Sequence, residues 1–186
     1  MSRLAVVLFN LGGPDRPESV RPFLFNLFYD VAIISVPQPV RWCLAHLISR
    51  RRAPVARKIY EHLGGKSPLL YLTRSQANAL QENLSDMDEI KVFICMRYWH
   101  PMSKEVVRSV KDFAPDQIVL LPLYPQYSGT TSGSSLRDWK EAAKKVGLSV
   151  PTSAICCYPT DPGWIEAQAE LISQALKSVT QGNEGR

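Results

Sequence analysis

Four short apolar runs mark the chain: Leu4–Asn10 (LAVVLFN), Ile90–Met96 (IKVFICM), Gln117–Leu123 (QIVLLPL) and Ser153–Cys157. They are continuous rather than alternating, the pattern of strands buried on both faces in a parallel sheet. A loop and then a stretch with helical periodicity follow each one. After Pro101, the residues Val106, Val107, Val110 and Phe113 share one helical face, with Lys104, Glu105, Arg108 and Lys111 opposite. A further helix is predicted from about Leu136 to Val146. Ile165, Ala169, Ile172 and Leu176 form the apolar face of the last predicted helix. Asp161-Pro162 introduces that helix with an N-cap residue and a proline suited to a first turn.

This βα alternation predicts an α/β fold: a doubly wound, mostly parallel four-stranded sheet with flanking helices. Such sheets bind ligands beyond the carboxyl ends of their strands. The candidate site therefore lies in the loops Leu11–Ser19, Arg97–Ser103, Tyr124–Ser135 and Tyr158–Trp164. About eighty residues separate the first two strands without a strand signal, which is long for a simple crossover. A helical insertion at about 20–52 is the reading. Within it, Phe23–Val36 (FLFNLFYDVAIISV) is strongly apolar and aromatic, and Val40–Ile48 reads as a helix whose basic end is Arg50-Arg51-Arg52. Residues 1–179 read as one α/β unit and 180–186 as a polar tail or linker.

Composition narrows the class. With 45% hydrophobic and 21% charged residues in 186, the chain is an ordinary globular protein, neither disordered nor fibrous. A net charge of +5 is too mild to suggest nucleic acid as a partner. No apolar run has the length of a membrane span and Met1-Ser2-Arg3 opens no secretory signal, so a cytoplasmic protein is expected. Cys43, Cys95, Cys156 and Cys157 form no C-x-x-C pair and read as buried free thiols.

Three stretches offer chemistry. The loop Tyr124–Ser135 (YPQYSGTTSGSS) places hydroxyls and glycines directly before a helix. This suits an anion site at a helix N-terminus, and equally a loop whose hydroxyls cap their own backbone. Arg97-Tyr98-Trp99-His100-Pro101 offers a cation, two aromatic rings and an imidazole, a match for a flat, acidic, aromatic ligand. His100 itself reads as a hydrogen-bonded structural residue, and His46 and His62 as structural or exposed residues of their helices. Arg50-Arg51-Arg52, with Arg57 and Lys58 beyond, is either a solvated helix face or a second anion site, since guanidiniums bind carboxylates bidentately. Gly64-Gly65-Lys66-Ser67 is no phosphate loop, because Tyr60 stands where the first glycine would be. Leu11-Gly12-Gly13-Pro14 is no dinucleotide fingerprint either. The Phe23–Val36 stretch fits a core, or an interfacial contact with a membrane beside Trp42 and the arginines.

Taken together, Leu11-Gly12-Gly13-Pro14, Arg51-Arg52-Ala53-Pro54, Gly64-Gly65-Lys66-Ser67-Pro68-Leu69, Arg97-Tyr98-Trp99-His100-Pro101 and Leu123-Tyr124-Pro125-Gln126-Tyr127-Ser128 resemble the ferrochelatase family in order and spacing, over nearly the whole chain. The resemblance implies insertion of ferrous iron into a porphyrin, protoporphyrin or coproporphyrin, held in a cleft between two similar α/β halves. It assigns Arg52, Tyr60 and Ser67 to the porphyrin or its propionates, Leu11 to the metal side of the ring, and Arg97, Tyr98, Tyr124 and Ser128 to the cleft. The insertion becomes a lip over that cleft, which in many members rests on a membrane, so peripheral attachment through Phe23–Val36 is expected. Gly129 stands where cluster-bearing members carry a cysteine, so no [2Fe-2S] cluster of that type is expected. The family's second-half S-x-H-x-x-P motif and its later acidic residue are missing. The chain thus resembles an amino-terminal half without the catalytic histidine, with no assigned metal ligand, and with an apolar former interface that favours a homodimer.

Overall fold

A computed structural model of the chain describes residues 2–85 and 89–183, with side chains through Val179. The four strands are β1 (Leu4–Asn10), β2 (Ile90–Met96), β3 (Gln117–Pro122) and β4 (Thr152–Ala154). They form a sheet in the order β2-β1-β3-β4. Every pairing is parallel, with Leu4 registered on Ile90 on one side and on Gln117 on the other. The helices are α1 (Val20–Tyr29), α2 (Gln38–Glu61), α3 (Leu69–Asn83), α4 (Ser103–Phe113), α5 (Ser132–Val146) and α6 (Pro162–Asn183), with a 3-10 turn at Pro17–Ser19.

The central strand β1 explains the architecture. Its alternate residues serve two cores: Ala5, Val7 and Phe9 pack with Val106, Val107, Val110 and Trp139 of α4 and α5. Val6 and Leu8 pack with Ala77 of α3 on the other face. Both faces are therefore covered and every β1 position from Ala5 to Phe9 is buried, which is why the run is apolar throughout. Such a strand demands helices on both sides, and this is the doubly wound α/β arrangement expected from the pattern.

The insertion between β1 and β2 is helical, as expected, but its helices run differently. Helix α2 does not end at Ile48; it continues through Arg50-Arg51-Arg52 and Pro54 to Glu61. Its buried seam is Ala45, Ser49 and Ala53, small residues four apart that let α1 approach closely. A hydrophobicity pattern does not register such a seam. The Phe23–Val36 stretch divides: Phe23 and Leu24 are buried, whereas Val31 and Ile33 are exposed.

Five further details correct the sequence reading. Strand β3 stops at Pro122, which has no N–H for the ladder, and β4 is a three-residue edge strand rather than Ser153–Cys157. Helix α5 begins at Ser132, so the hydroxyl residues form its first turn. Only Cys95 is buried; Cys43, Cys156 and Cys157 are exposed. The expected apolar face of α6 is not packed, with Ile165 52%, Ile172 60% and Leu176 63% exposed. Asp161 does cap α6, accepting a hydrogen bond from the Trp164 amide at 2.9 Å. The side chains from 180 onward, where a tail was expected, lie outside the described residues. Among the described residues no helix is long and apolar enough to cross a membrane.

Candidate functional site

The loops after β1 and β2 are bound to each other at the carboxyl end of the sheet. The Arg97 amide donates to the Asn10 carbonyl and the Tyr98 amide to the Leu11 carbonyl, both at 2.9 Å. This continues the strand pairing by two residues beyond the sheet. Gly12 makes the approach possible: its φ is +83°, and a Cβ there would lie 2.9 Å from the Trp99 nitrogen. The next loop joins the group through Ser67, whose amide donates to the Pro14 carbonyl at 2.8 Å. Gly64 and Gly65 shape that loop with φ of +79° and +80°, so their use is a turn rather than a phosphate cradle.

Helices α1 and α2 fold over these loops. Val20, Phe23, Leu24, Ala53 and Tyr98 form a buried cluster against which Leu11, Phe28, Tyr60 and Trp99 pack. The Arg52 guanidinium lies over the Phe28 ring, 5.9 Å from its centroid. Of the expected site residues, Leu11, Tyr60 and Tyr98 thus meet in one apolar and aromatic cluster, with Arg52 above it and Ser67 bound to Pro14 in the adjoining loop. Burial raises the Tyr60 phenol above the ordinary tyrosine range. Tyr98 is wholly buried, so it builds the wall of the cluster from within.

Arg97 is held in a polar network that the sequence reading lacked. Its side chain is 16% exposed and that of Asp30 3%, and Nη2 donates to Asp30 Oδ2 at 2.9 Å. Nε donates to Ser134 Oγ at 2.7 Å, and Nη1 lies 3.7 Å from Asp138 Oδ1. Asp30 Oδ2 also accepts hydrogen bonds from Tyr98 Oη at 2.8 Å and from Ser134 Oγ. Burial pushes the Asp30 carboxyl up, but Ser134, the Ala32 amide, the Arg97 charge and Tyr98 more than offset it and hold the group below the usual carboxylate range. Burial and the bond to Asp30 raise the Tyr98 phenol. A cleft of about 330 Å³ opens beside the network, lined by Asn26, Tyr29, Arg41, Arg97, Ser134 and Asp138 among others.

Tyr124 is partly buried, and burial is the chief cause that raises its phenol. Tyr124 Oη and Ser135 Oγ are buried atoms without a hydrogen-bond partner among the described residues. Ser128 turns its hydroxyl inward to Thr130, 2.9 Å from Oγ1 and 3.3 Å from the amide. The capped-loop reading therefore describes Ser128, and the structure does not draw it into the aromatic cluster. His100 pairs with Glu105, Nδ1 to Oε1 2.8 Å. His46 lies between the Phe25 and Trp42 rings, at centroid distances of 4.5 and 4.1 Å. Both have the structural character expected of them. Among the described residues no group of three or more His, Cys, Asp or Glu is arranged to hold a metal ion.

Asp30 and Ser134 were missed for a physical reason. Asp30 follows an apolar run and reads as a turn residue, and Ser134 is one hydroxyl among many. One weak signal existed, a carboxylate within a stretch otherwise without charge from Phe23 to Val36.

Comparison with known proteins gives the family. A family model described as Ferrochelatase matches residues 3–185. A ferrochelatase of Phenylobacterium zucineum is 57% identical over 187 residues, covering 99% of this chain and 54% of the relative. One from Pelagibacter ubique is 52% identical over 178 residues, covering 94% and 52%, and one from Caulobacter vibrioides is 54% identical over 180 residues, covering 95% and 51%. The chain spans about half the length of the curated relatives it matches, and with a family model matched along nearly all of it, the chain belongs to the ferrochelatase family.

Proposed function

We propose that this chain supplies the porphyrin-binding half of a ferrochelatase, a lyase-class enzyme that inserts ferrous iron into protoporphyrin IX or coproporphyrin III in haem formation. The observation that carries the reading is the cluster of Leu11, Phe28, Tyr60 and Trp99 with Arg52 above it. A flat macrocycle needs an apolar and aromatic wall, and its carboxylate arms need cations. Arg50, Arg51 and Arg52 make no ion pair among the described residues, so they are available to such arms.

Metalation exchanges two pyrrole N–H protons for the iron, so a base must accept them. None of the three histidines stands in the cluster: His100 is engaged by Glu105, His46 by two rings, and His62 is exposed at the end of α2. We therefore assign to this chain the binding of porphyrin and not the removal of its protons. A module that holds porphyrin or haem without metalating it is the alternative.

An anaerobic absorbance scan of the chain with porphyrin and ferrous or zinc ion separates these outcomes. A shifted porphyrin band without catalytic growth of metalloporphyrin bands is expected. Catalytic growth would overturn the division of labour and make His100 the next residue to replace. Joint substitution of Arg52 and Tyr60 by alanine weakens porphyrin binding; unchanged affinity would sink the site. The exposed Val31, Ile33 and Trp42 of the lip support peripheral attachment of a cytoplasmic protein to a bilayer, to be read by co-sedimentation with anionic vesicles. Exposed apolar residues on α6 support a homodimer, to be read by sedimentation velocity. With Gly129 at the position of a cluster cysteine, no resident [2Fe-2S] centre of that type is proposed, and iron and sulfide analysis of the purified chain checks it.

A further inference from the structure

Asp30 stands where the lip leaves α1, and its carboxylate is charged although almost wholly buried. Desolvating a carboxylate is costly unless donors surround it. Four do: Arg97 Nη2 at 2.9 Å, Tyr98 Oη at 2.8 Å, Ser134 Oγ, and the Ala32 amide at 2.8 Å on Oδ1. They come from three places, namely the lip itself, the loop after β2 and the first turn of α5. An apolar residue would fill the same space without requiring any of these partners.

The consequence is orientation. Asp30 and Ser134 grip two edges of the Arg97 guanidinium, which leaves it a single conformation. The Tyr98 ring is fixed at its hydroxyl by Asp30, while its backbone is fixed by Leu11 and by the Asn26 side chain, whose Nδ2 donates to the Tyr98 carbonyl at 3.1 Å. Tyr98 is the buried floor under Leu11, Tyr60 and Trp99.

We infer that Asp30 is a positioning residue of the porphyrin wall: it touches no ligand, but fixes Arg97 and Tyr98 and ties the lip to α5, so that the wall is formed before porphyrin arrives. This rests on the porphyrin-binding reading above.

The test titrates a free-base dicarboxylic porphyrin into the full chain, following tryptophan quenching and the Soret maximum. Wild type, Asp30→Asn, Arg97→Ala and the double variant form a cycle. Asp30→Asn retains the far-UV circular dichroism of the wild type, loses about tenfold in affinity and shifts the Soret maximum of the bound porphyrin. In the double variant the loss is smaller than the sum of the two single losses, because Asp30 acts in part through Arg97. Wild-type affinity in Asp30→Asn, or additive losses around the cycle, overturns the assignment. Where Asp30→Asn fails to fold, Ser134→Ala carries the test, removing a donor to Asp30 while leaving the Arg97 and Asp30 charges paired. It is expected to lose about threefold in affinity with the same Soret shift, and an unshifted band at wild-type affinity overturns the assignment. Absence of porphyrin binding by the wild type would instead overturn the reading on which the inference rests.

Discussion

Replacing Gly12 with alanine measures how tightly the loops at the carboxyl end of the sheet are coupled. The residue has φ +83°, and a Cβ would meet the Trp99 nitrogen at 2.9 Å and Met96 Cβ at 3.2 Å. Left-handed backbone alone costs a non-glycine residue about 1–2 kcal/mol. The Trp99 contact adds to this because it is with backbone, and that backbone is anchored through the Arg97 and Tyr98 amides. Relief to an ordinary contact of 3.4 Å moves one loop against the other by roughly 0.5 Å, an overpacking strain of about 1–3 kcal/mol.

Gly147 supplies the control. It too is left-handed, φ +66°, but an added Cβ meets nothing within 4 Å, so Gly147→Ala carries only the conformational cost. With Tm moving about 2–4 °C per kcal/mol in a chain of this size, a loss of about 3 kcal/mol in Gly12→Ala corresponds to roughly 6–12 °C. Gly147→Ala, with the conformational cost of about 1–2 kcal/mol alone, loses about half of that. Thermal unfolding followed by far-UV circular dichroism gives both values. Equal shifts for the two variants would refute the coupling, because they would show that the Trp99 contact yields without cost.

Three further outcomes are expected. In Gly13→Ala the new Cβ falls 2.5 Å from Ser67 Cβ, but the Gly64-Gly65 turn can yield, so stability drops by less than about 1.5 kcal/mol. Porphyrin affinity falls severalfold in the same variant, and unchanged affinity in a fluorescence titration would remove Ser67 from the site. Val107→Ala empties part of the core between α4 and the sheet, where Val107 is wholly buried, and loses about 1.5–3 kcal/mol in urea unfolding; a wild-type midpoint would contradict the packing. The Asp30, Asp15 and Glu105 carboxyls are all held below their ordinary range, so in acid the unfolded chain binds more protons than the folded one. Their stabilisation is complete above the ordinary carboxylate pKa of about 4 and is lost as pH falls through the folded values. Asp30→Asn therefore flattens the acid limb of stability against pH, and a limb as steep as that of the wild type would refute the contribution.

The sheet was readable because β1 is buried on both faces, and that leaves an unbroken apolar signature with little competition from other structures. Strand β2 was equally plain, and the α4 stripe at Val106, Val107 and Val110 landed on the core as its spacing implied. The failures share a cause: the contacts that decide them are long-range. The hydrophobic pattern ends helix α2 at its arginines, whereas the helix runs on because its seam is Ala45, Ser49 and Ala53, which read as indifferent until α1 lies against them. The face of α6 was expected to pack, and helical periodicity alone does not say whether a partner surface is present. At the site, the aromatic and basic residues were visible as local motifs, whereas Asp30 and Ser134 stand 104 positions apart and become a pair only through the fold.

That hidden pair changes how the arginines divide their work. A guanidinium only 16% exposed keeps its charge, and holding that charge largely out of water is costly unless carboxylates neutralise it, as Asp30 and Asp138 do for Arg97. Its charge is then largely spent inside the protein, and a ligand carboxylate approaching it meets two carboxylates already in place. Arg50, Arg51 and Arg52 lie on the exposed side of α2 without such partners, so in the proposed porphyrin complex the anionic arms would be met at the rim by α2 and the macrocycle would be left to the apolar cluster beneath. Exchanging Arg52 for glutamine should therefore weaken binding of a porphyrin that bears carboxylates far more than binding of its methyl ester. Exchanging Arg97 for glutamine should weaken both alike, through the wall. Equal sensitivity of both ligands to Arg52→Gln, measured by fluorescence titration at one ionic strength, would show that the rim carries no anion recognition and return that task to the interior.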